Sequence, residues 1–595
     1  MHVLGLKIYG HDTGAALISS ERVVAIAEER LNRVKHSPNM FPSLAIDYCL
    51  ATLGVAATDI NLVVIDQIYE ADRFPMERMF REATGERFAH ARVQVINHHD
   101  AHAASAFFCS PFEEAGVVVY DGSGETIRTP LGVTATETET LYRGSGTTLV
   151  EVQKSLHARI ARRFVHTFGV GMLYTAITRY LSFGPYEEGK TMGLAPYGNA
   201  DAFKIAPESL WWREHRGQFF CNADIRYPKQ LLAGEGNVSF GTKLVYGLRS
   251  RVRTLLLSLS GRIGGDPAMA NPKLFAPLVL PQPARPKEVS LPDAYYTNLA
   301  FAVQDVLEKV VMGWARRLRA VTHTEYLCIA GGVGLNSVAN KKILDGCGFT
   351  DVWVQPACSD TGIALGAALY GTHVTLGQPR FWNMQHAYLG RSYSNQEIEA
   401  ALADFADRIE VRRTAAVAED TAALLADGKI IAWFQGGAEY GPRALGHRSL
   451  LVDPRPADMK RVLNDRVKHR ELWRPFAASV VAEHAAEYFT LDRPSPFMLL
   501  VCSVRDAYRE KISAVVHVDG TCRVQTVTKE ANGIYYDLIS AFGKRTGLPM
   551  LLNTSFNLAG EPIVEAPTEA IRDLLATNID VLVMENYIVT KKAAA

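Results

Sequence analysis

The sequence predicts an α/β protein of more than one domain, and three observations predict it. Short apolar runs rich in β-branched residues alternate with segments of helical period along most of the chain. Several of those runs end in a glycine turn followed by a helix, as in VVVYDGSGE (117–125) and YLCIAGGVGLNSVANKKIL (326–344). The chain has 595 residues, 48% of them apolar, which at ~100–200 residues per domain allows two to four domains with sizeable cores.

Taken in order, VLGLKI (3–8), AALIS (15–19) and VVAIAEE (23–29) read as strands separated by polar turns. A helix follows from about Pro42 to Leu53, where Ala45, Ile46, Cys49 and Leu50 recur at helical spacing. NLVVID (61–66) and VQVIN (93–97) read as buried strands, and HHDAHAASAFF after them as a helix. Between Pro267 and Pro292 stand seven of the 27 prolines, a density that no long helix or central strand survives. That stretch reads as an insertion or lid. A long amphipathic helix over about Asp293–Arg319 leads back to strand–glycine–helix units that end at CSDTGIALGAALYG (358–371). Near residues 390–410 this pattern stops and a new series begins, with a helix ahead of the strand IIAWF. The last ~180 residues are enough for a core of their own.

Composition disfavours several function classes. Lys plus Arg and Asp plus Glu both number 63, for a formal charge of zero, whereas a protein whose main partner is a long nucleic acid usually carries a basic excess. No stretch approaches the ~18 consecutive apolar residues of a membrane span. The start, MHVLGLKIYGHDTGAALI, lacks the basic-then-apolar layout of a signal peptide. The eight cysteines never fall within three residues of one another, which argues against zinc knuckles and CxxC sites and suits free thiols in the cytoplasm.

Within the predicted helix at 98–108, His98 and His102 stand at i and i+4, on one face, where two imidazoles can grip one ion. The same spacing also suits ordinary buried helix histidines, and the glutamate of a zinc-protease HExxH is missing. Oxygen ligands would come from elsewhere, and Asp121 and Asp360 each close a strand or turn. A two-histidine, two-aspartate set suits iron, manganese or zinc better than magnesium or calcium. The glycine turns Asp121–Glu125 and Ala330–Asn336 can bring backbone N–H groups close to phosphate oxygens, or can be plain tight turns. GPYEEGKT (184–191) spells a phosphate loop but sits behind a helical pattern rather than a strand, with Glu187 and Glu188 against any phosphate and a loop-like MGLAPYG after it; it is rejected.

Residues 442–475 hold nine basic against four acidic residues. Arg443, Arg448 and Arg474 stand beside Pro, Leu, Trp and Phe there, which favours a walled pocket for bidentate phosphate contacts over a solvated helix face. HVDGTCRVQTV (517–527) and LLNTSFN (551–557) add Arg523 and a cluster of small hydroxyl and amide side chains.

The set GHDTGAALI, EERLNRVKH, NHHDAHAASAF, DGSGE, EEGKTMGLAPYG, AGGVGLN, SDTG, GPRALGHRSLL, VKHRELWRPFA, HVDGTCRVQTV and LLNTSFN resembles the O-carbamoyltransferase family, the group of NodU and of the tobramycin and cephalosporin carbamoyltransferases. The motifs run from residue 4 to beyond 550, in the family's order. The resemblance implies an actin/sugar-kinase-like (ASKHA, threonylcarbamoyl-transferase-like) domain over residues 1–395 and a YrdC-like α/β domain over 396–595. In the family, the C-terminal domain turns carbamoyl phosphate and ATP into carbamoyl-adenylate. An acceptor hydroxyl then takes the carbamoyl group at a metal in the N-terminal domain.

Carried over by motif, the metal ligands are His98, His102, Asp121 and Asp360, with Fe(2+) or another divalent transition metal as the ion. His11 takes the place of the base that deprotonates the acceptor, a task worth typically ~10²–10⁴-fold for an alcohol of pKa ~15–16. The intermediate would meet Lys35, Gly122, Ser123, Gly124, Glu188, Lys190, Gly331, Gly332 and Asn336. Carbamoyl phosphate and ATP, with Mg(2+) as an accompanying ion, would meet Arg443, Arg448, Lys468, Arg470, Arg474, His517, Asp519, Thr521, Arg523, Asn553, Thr554, Ser555 and Asn557. The implied partner is a small hydroxylated natural product, as in antibiotic tailoring, with no nucleic acid, no membrane, and room for a homo-oligomer. Two other classes compete: a tRNA threonylcarbamoyl-type transferase, disfavoured by the neutral charge, and a non-catalytic nucleotide-binding protein, which would not need the basic pocket.

Overall fold

The structure, a computed structural model, describes residues 1–19, 22–69, 71, 74–128, 134–158, 167–199, 212–215, 218–222, 225–226, 278–279 and 293–592. Strands β1 (His2–Lys7), β2 (Gly14–Ser19), β3 (Arg22–Ala27), β4 (Leu62–Gln67) and β5 (Arg92–Asn97) form a five-stranded sheet in the order β3-β2-β1-β4-β5. The first three are an antiparallel meander, while β4 and β5 continue parallel to β1.

A second sheet repeats that arrangement. It contains β6 (Glu114–Tyr120), β7 (Thr126–Arg128), β8 (Thr134–Ser145) and β9 (Thr148–Ala158). Short pairings follow among β10 (Thr167–Phe168), β11 (Trp212–His215), β12 (Gln218–Asn222), β13 (Ile225–Arg226) and β14 (Leu278–Val279). Then β15 (Tyr326–Ala330) and β16 (Asp351–Val354) complete the sheet. Here β9, β8 and β6 are antiparallel neighbours, and β15 and β16 run parallel to β6. The two sheets therefore share one topology, three strands in a meander and two parallel strands beyond the first.

Apart from β14, the Pro-rich stretch 267–292 lies outside the described residues. The long helix after it runs Ala294–Thr322. Helix Val170–Tyr180 precedes the rejected GPYEEGKT segment, as expected, but the chain beyond that segment is not the loop its sequence suggested. Residues Glu188–Leu194 form a short helix, and its Thr191 hydroxyl bonds that of Thr178 at 2.8 Å.

Between the two sheets the helices His98–Phe107 and Ile363–Leu369 cross. They approach so closely that a Cβ on Gly366 would lie 1.9 Å from the Ala101 carbonyl oxygen. Only glycine fits that crossing, and the crossing brings the ends of the two helices together.

The remaining strands, β17 (Ile409–Arg413), β18 (Ile431–Phe434), β19 (Arg448–Val452), β20 (Ala477–Val481), β21 (Val501–Ser503), β22 (Thr521–Val527), β23 (Met550–Ser555), β24 (Val581–Met584) and β25 (Tyr587–Lys591), make one nine-stranded sheet. Its order is β17-β25-β24-β18-β19-β23-β20-β22-β21. Both faces are covered, as the period of two requires for a strand that is apolar throughout. On β18, Ile431 and Trp433 enter one core with Tyr535 and Phe542, while Ala432 and Phe434 enter the opposite one with Leu552 and Ile571. No helix among the described residues is long and apolar enough to cross a membrane. All eight cysteines are free and buried.

Candidate functional site

β5 ends at Asn97, whose side chain accepts hydrogen bonds from the backbone N–H groups of His99 and Asp100 and so caps the helix behind it. His98 and His102 thereby project from the first turns of a capped, buried helix. Asp121 follows β6, and Asp360 opens the turn before the 363–369 helix. These four elements converge. One ligand atom from each of His98, His102, Asp121 and Asp360 lies within 4.8 Å of the others, and all four residues are buried. His98 Nε2 is 3.6 Å from both Asp121 Oδ2 and Asp360 Oδ1, and His102 Nε2 is 3.7 Å from Asp360 Oδ1.

The donor set fits a transition-metal ion. His98 Nε2 and both ring nitrogens of His102 are buried without a hydrogen-bond partner, a costly state for polar atoms unless something binds them. Two imidazole nitrogens and two carboxylates match the preferences of zinc, iron or manganese. The opposite nitrogen of His98, Nδ1, donates to Asp66 Oδ2 at 2.8 Å, which fixes the ring and leaves Nε2 free toward the cluster. Asp66 in turn accepts from Lys7 Nζ at 3.0 Å. Burial works against both charges, but Asp66 with Asp360 outweighs it for Lys7, and Lys7 with His98 for Asp66: Lys7 lies above the ordinary lysine pKa and Asp66 below the ordinary carboxylate one. Neither residue was singled out from sequence. Yet Asp66 closes the strand NLVVID as Asp121 closes VVVYD, and that placement could have found it.

His11 sits at the rim, with Nε2 3.7 Å from Asp360 Oδ2 and Nδ1 donating to Asp12 Oδ2 at 3.2 Å. Asp12 also accepts from His36 Nδ1 at 2.7 Å. The exposed Tyr186 ring covers both imidazoles, with centroids 4.8 Å from His11 and 4.3 Å from His36. Burial lowers the His11 pKa, but Asp360 and Asp12 outweigh it and hold the pKa above the ordinary histidine value. His99, one residue beyond the first histidine, bonds Thr140 through Nδ1 at 2.7 Å, and burial drives its pKa down to about 4.

The glycine turns flank this cluster. Gly331 has φ +89°, and its position abuts the Tyr120 backbone at the end of β6; a Cβ on Gly332 would lie 3.8 Å from Asp121 Oδ1. Gly122 and Ser123 follow Asp121 directly, and Gly124 abuts the His99 ring. Asn336 differs from its expected role. Its Oδ1 accepts from Ala339 N and Gln304 Nε2, capping the helix that starts at Ser337, and its Nδ2 donates to Gln304 Oε1. Glu188 likewise accepts from Thr175 Oγ1 at 2.8 Å.

In the C-terminal part, Arg443 follows β18, Arg470 and Arg474 lie in the segment after residue 468, and Arg523 stands on β22 opposite Ala477. Arg443 and Arg523 have no carboxylate partner among the described residues, and the Nε of each is buried without a hydrogen bond. Burial, with the neighbouring charges of Arg443 and Arg470, pushes Arg523 well below the ordinary arginine pKa; burial and Arg474 do the same to Arg470. Buried guanidinium groups close enough to lower one another's pKa make an arrangement that can seat anions.

Most of the other side chains expected there have hydrogen-bond partners within the protein. Arg448 is fully buried and donates to the carbonyls of Gln435, His447, Gly436 and Glu565, with its guanidinium 3.5 Å from the Phe434 ring centroid. Lys468 donates to the Ser555 and Asn557 carbonyls and to Asn557 Oδ1 at 2.5, 3.2 and 2.9 Å, pinning the end of β23 and the turn after it. Asn553 Nδ2 bonds Ser479 Oγ at 3.0 Å in a buried network, and Thr554 is its neighbour on β23. Asp519 accepts from Thr521 within their own turn. His517 Nε2 donates to the Gly193 carbonyl at 3.0 Å and so ties this part to the 188–194 helix.

An ionic chain joins the two regions. Lys190 Nζ lies 2.7 Å from Glu187 and 2.9 Å from Glu471, which is 3.6 Å from Arg474. Glu187 is the neighbour of Tyr186, whose ring covers His11. On the other side the Arg443 charge lowers the Cys358 thiol, which burial has pushed up to about 12, two residues before Asp360. Lys35, exposed on the N-terminal part, adds its charge to those acting on Lys468.

Two family models and several curated relatives match most of the chain. The family models described as "Carbamoyltransferase N-terminus" and "Carbamoyltransferase C-terminus" match residues 2–85, 79–238 and 272–369, and residues 422–591. "Nodulation protein NolNO" of Sinorhizobium fredii is 35% identical over 612 residues, covering 98% of this chain and 80% of that protein. "Nodulation protein NolO" of Bradyrhizobium diazoefficiens is 36% identical over 505 residues, covering 84% of this chain and 80% of the relative. Among solved structures, full-length HypF in its phosphate- and nucleotide-bound form is 11% identical with a TM-score of 0.30, over 62% of this chain and 55% of that one.

Proposed function

The chain belongs to the carbamoyltransferase family, and from that premise we propose that it is an ATP-dependent O-carbamoyltransferase whose two half-reactions occupy the two regions described above. The division falls near residue 395, with carbamoyl transfer in residues 1–395 and carbamoyl-adenylate formation in 396–595. In the first half-reaction, water and carbamoyl phosphate give carbamate and phosphate. The carbamate oxygen then attacks the α-phosphorus of ATP, giving carbamoyl-adenylate and pyrophosphate. Carbamoyl phosphate, carbamate and ATP are all anions, and Arg443, Arg470, Arg474 and Arg523 hold such groups together against their repulsion. The unpaired state of Arg443 and Arg523 is the observation that carries this reading.

In the second half-reaction the acceptor hydroxyl attacks the carbamoyl carbon and AMP leaves. A divalent ion held by His98, His102, Asp121 and Asp360, with iron(II) the ion the family implies, would supply a Lewis acid for the carbonyl oxygen. His11 takes the hydroxyl proton at Nε2, and Asp12 orients its ring through Nδ1. Tyr186 shields the imidazole from bulk water on the open side. The acceptor is a small hydroxylated natural product, and the compartment is the cytoplasm.

The test is incubation with ATP, carbamoyl phosphate and a panel of hydroxylated natural products, following pyrophosphate and labelled carbamoyl groups. The expected result is pyrophosphate release that requires carbamoyl phosphate, with label ending on an acceptor hydroxyl. Failure to release pyrophosphate with both co-substrates present would overturn the proposal.

A further inference from the structure

Lys7 takes no part in the reaction just described, yet it is fully buried beside the histidine–aspartate cluster. It ends β1, with Nζ 3.0 Å from Asp66 Oδ2 and 3.4 Å from Asp360 Oδ2. A lysine so deep stays only where charges require it. Asp121 and Asp360 are the carboxylate ligands and Asp66 holds His98; among the described residues, Lys7 is the one lysine or arginine within ion-pair distance of any of the three. His11 also approaches Asp360, at 3.7 Å, paired with Asp12 at the rim. The Lys7 ammonium opposes each added unit of positive charge on a bound ion, so it disfavours a trivalent ion more than a divalent one.

We infer that Lys7 sets the valence selectivity of this centre, holding it in favour of divalent over trivalent ions and keeping bound iron ferrous. The inference rests on the metal reading made above. Removing one unit charge about 5–6 Å from an ion, at an effective permittivity of about 20, changes the trivalent-to-divalent preference on the order of 100-fold. For a one-electron iron couple that factor corresponds to about 120 mV.

The experiment uses the full-length protein and its variants Lys7→Met, Asp66→Asn and the double variant carrying both. It measures the anaerobic midpoint potential of bound iron, and the binding constants of Zn2+ and Ga3+ by chelator competition. Lys7→Met should lower the potential by about 120 mV and raise the Ga3+/Zn2+ ratio on the order of 100-fold. Asp66→Asn should move both in the opposite direction. The double variant removes a buried pair rather than half of one, so it keeps the protein folded if the single variant fails. It restores the charge sum and should return both quantities close to wild type. An unshifted Lys7→Met protein, or a double variant that stays displaced, overturns the inference while leaving the metal site standing. A wild-type protein that takes up none of these ions overturns both.

Discussion

The two candidate sites are built from opposite materials. In the N-terminal part, carboxylates and imidazoles crowd within 4.8 Å of one another, and the outward bond of His98 is taken by buried Asp66, itself held by Lys7. In the C-terminal part, guanidinium groups are gathered with scant compensation, and the buried Nε atoms of two of them, Arg443 and Arg523, have no hydrogen bond. The first arrangement is rich in carboxylates, the second in guanidinium groups. On the function proposed above, that difference assigns cation binding to one site and the gathering of polyanions to the other.

Breaking one site should therefore leave the other working. The largest effect is expected from Arg443→Met combined with Arg523→Met: pyrophosphate release should fall on the order of 10³-fold or more, while metal uptake, read by elemental analysis, stays at its wild-type stoichiometry. His11→Asn should lower carbamoyl transfer by ~10²–10⁴-fold with pyrophosphate release still running. If both activities stopped together, His11 would not be the acceptor's base alone.

A third effect is expected on stability, from β8 where it pairs with the end of β6. Glu139 is fully buried on β8 and accepts from Thr138 Oγ1 at 2.6 Å and Val170 N at 3.2 Å; burial raises its pKa from 4.5 to about 7. The folded protein keeps that proton up to about pH 7, whereas the unfolded chain releases it near 4.5. Stability from this group is complete below pH 4.5 and is lost as pH rises through about 7, by about 3 kcal/mol in total. Chemical denaturation of Glu139→Gln should show a protein more stable than wild type at pH 8 and nearly equal to it at pH 4.5, and a pH-independent difference would contradict this. The smallest effect is expected from Glu471→Gln, which cuts the ionic chain between Lys190 and Arg474. Partly exposed ion pairs are worth ~0.2–1 kcal/mol, so carbamoyl groups delivered per pyrophosphate released should drop only a few-fold. An unchanged ratio would mean that the two sites are not linked by this chain.

Much of the fold was legible because its strands are apolar runs bounded by polar turns. The run VLGLKI became β1, NLVVID β4, and HHDAHAASAFF a helix from His98 to Phe107. The i, i+4 histidines were readable for the same reason, since helical spacing fixes their common face. The repeated topology of the first two sheets was not, because strand order depends on long-range pairing, as of Leu327 with Gly116. The supporting shell also escaped: Lys7 looks like the polar end of a strand, and nothing local places it against Asp66, 59 residues away. Arg448 misled in the other direction. Its setting in GPRALGHRSLL suggests a ligand contact, but four backbone carbonyls surround it. An arginine in apolar sequence signals a buried guanidinium without saying whether its partner is a ligand or the fold itself.

The division of labour is tested most directly in Asp360→Asn protein, by measuring bound metal and carbamoyl-phosphate-dependent pyrophosphate release in the same sample. The account predicts that metal is lost and pyrophosphate release continues at close to the wild-type rate. Loss of pyrophosphate release along with the metal, or full metal retention, would contradict it.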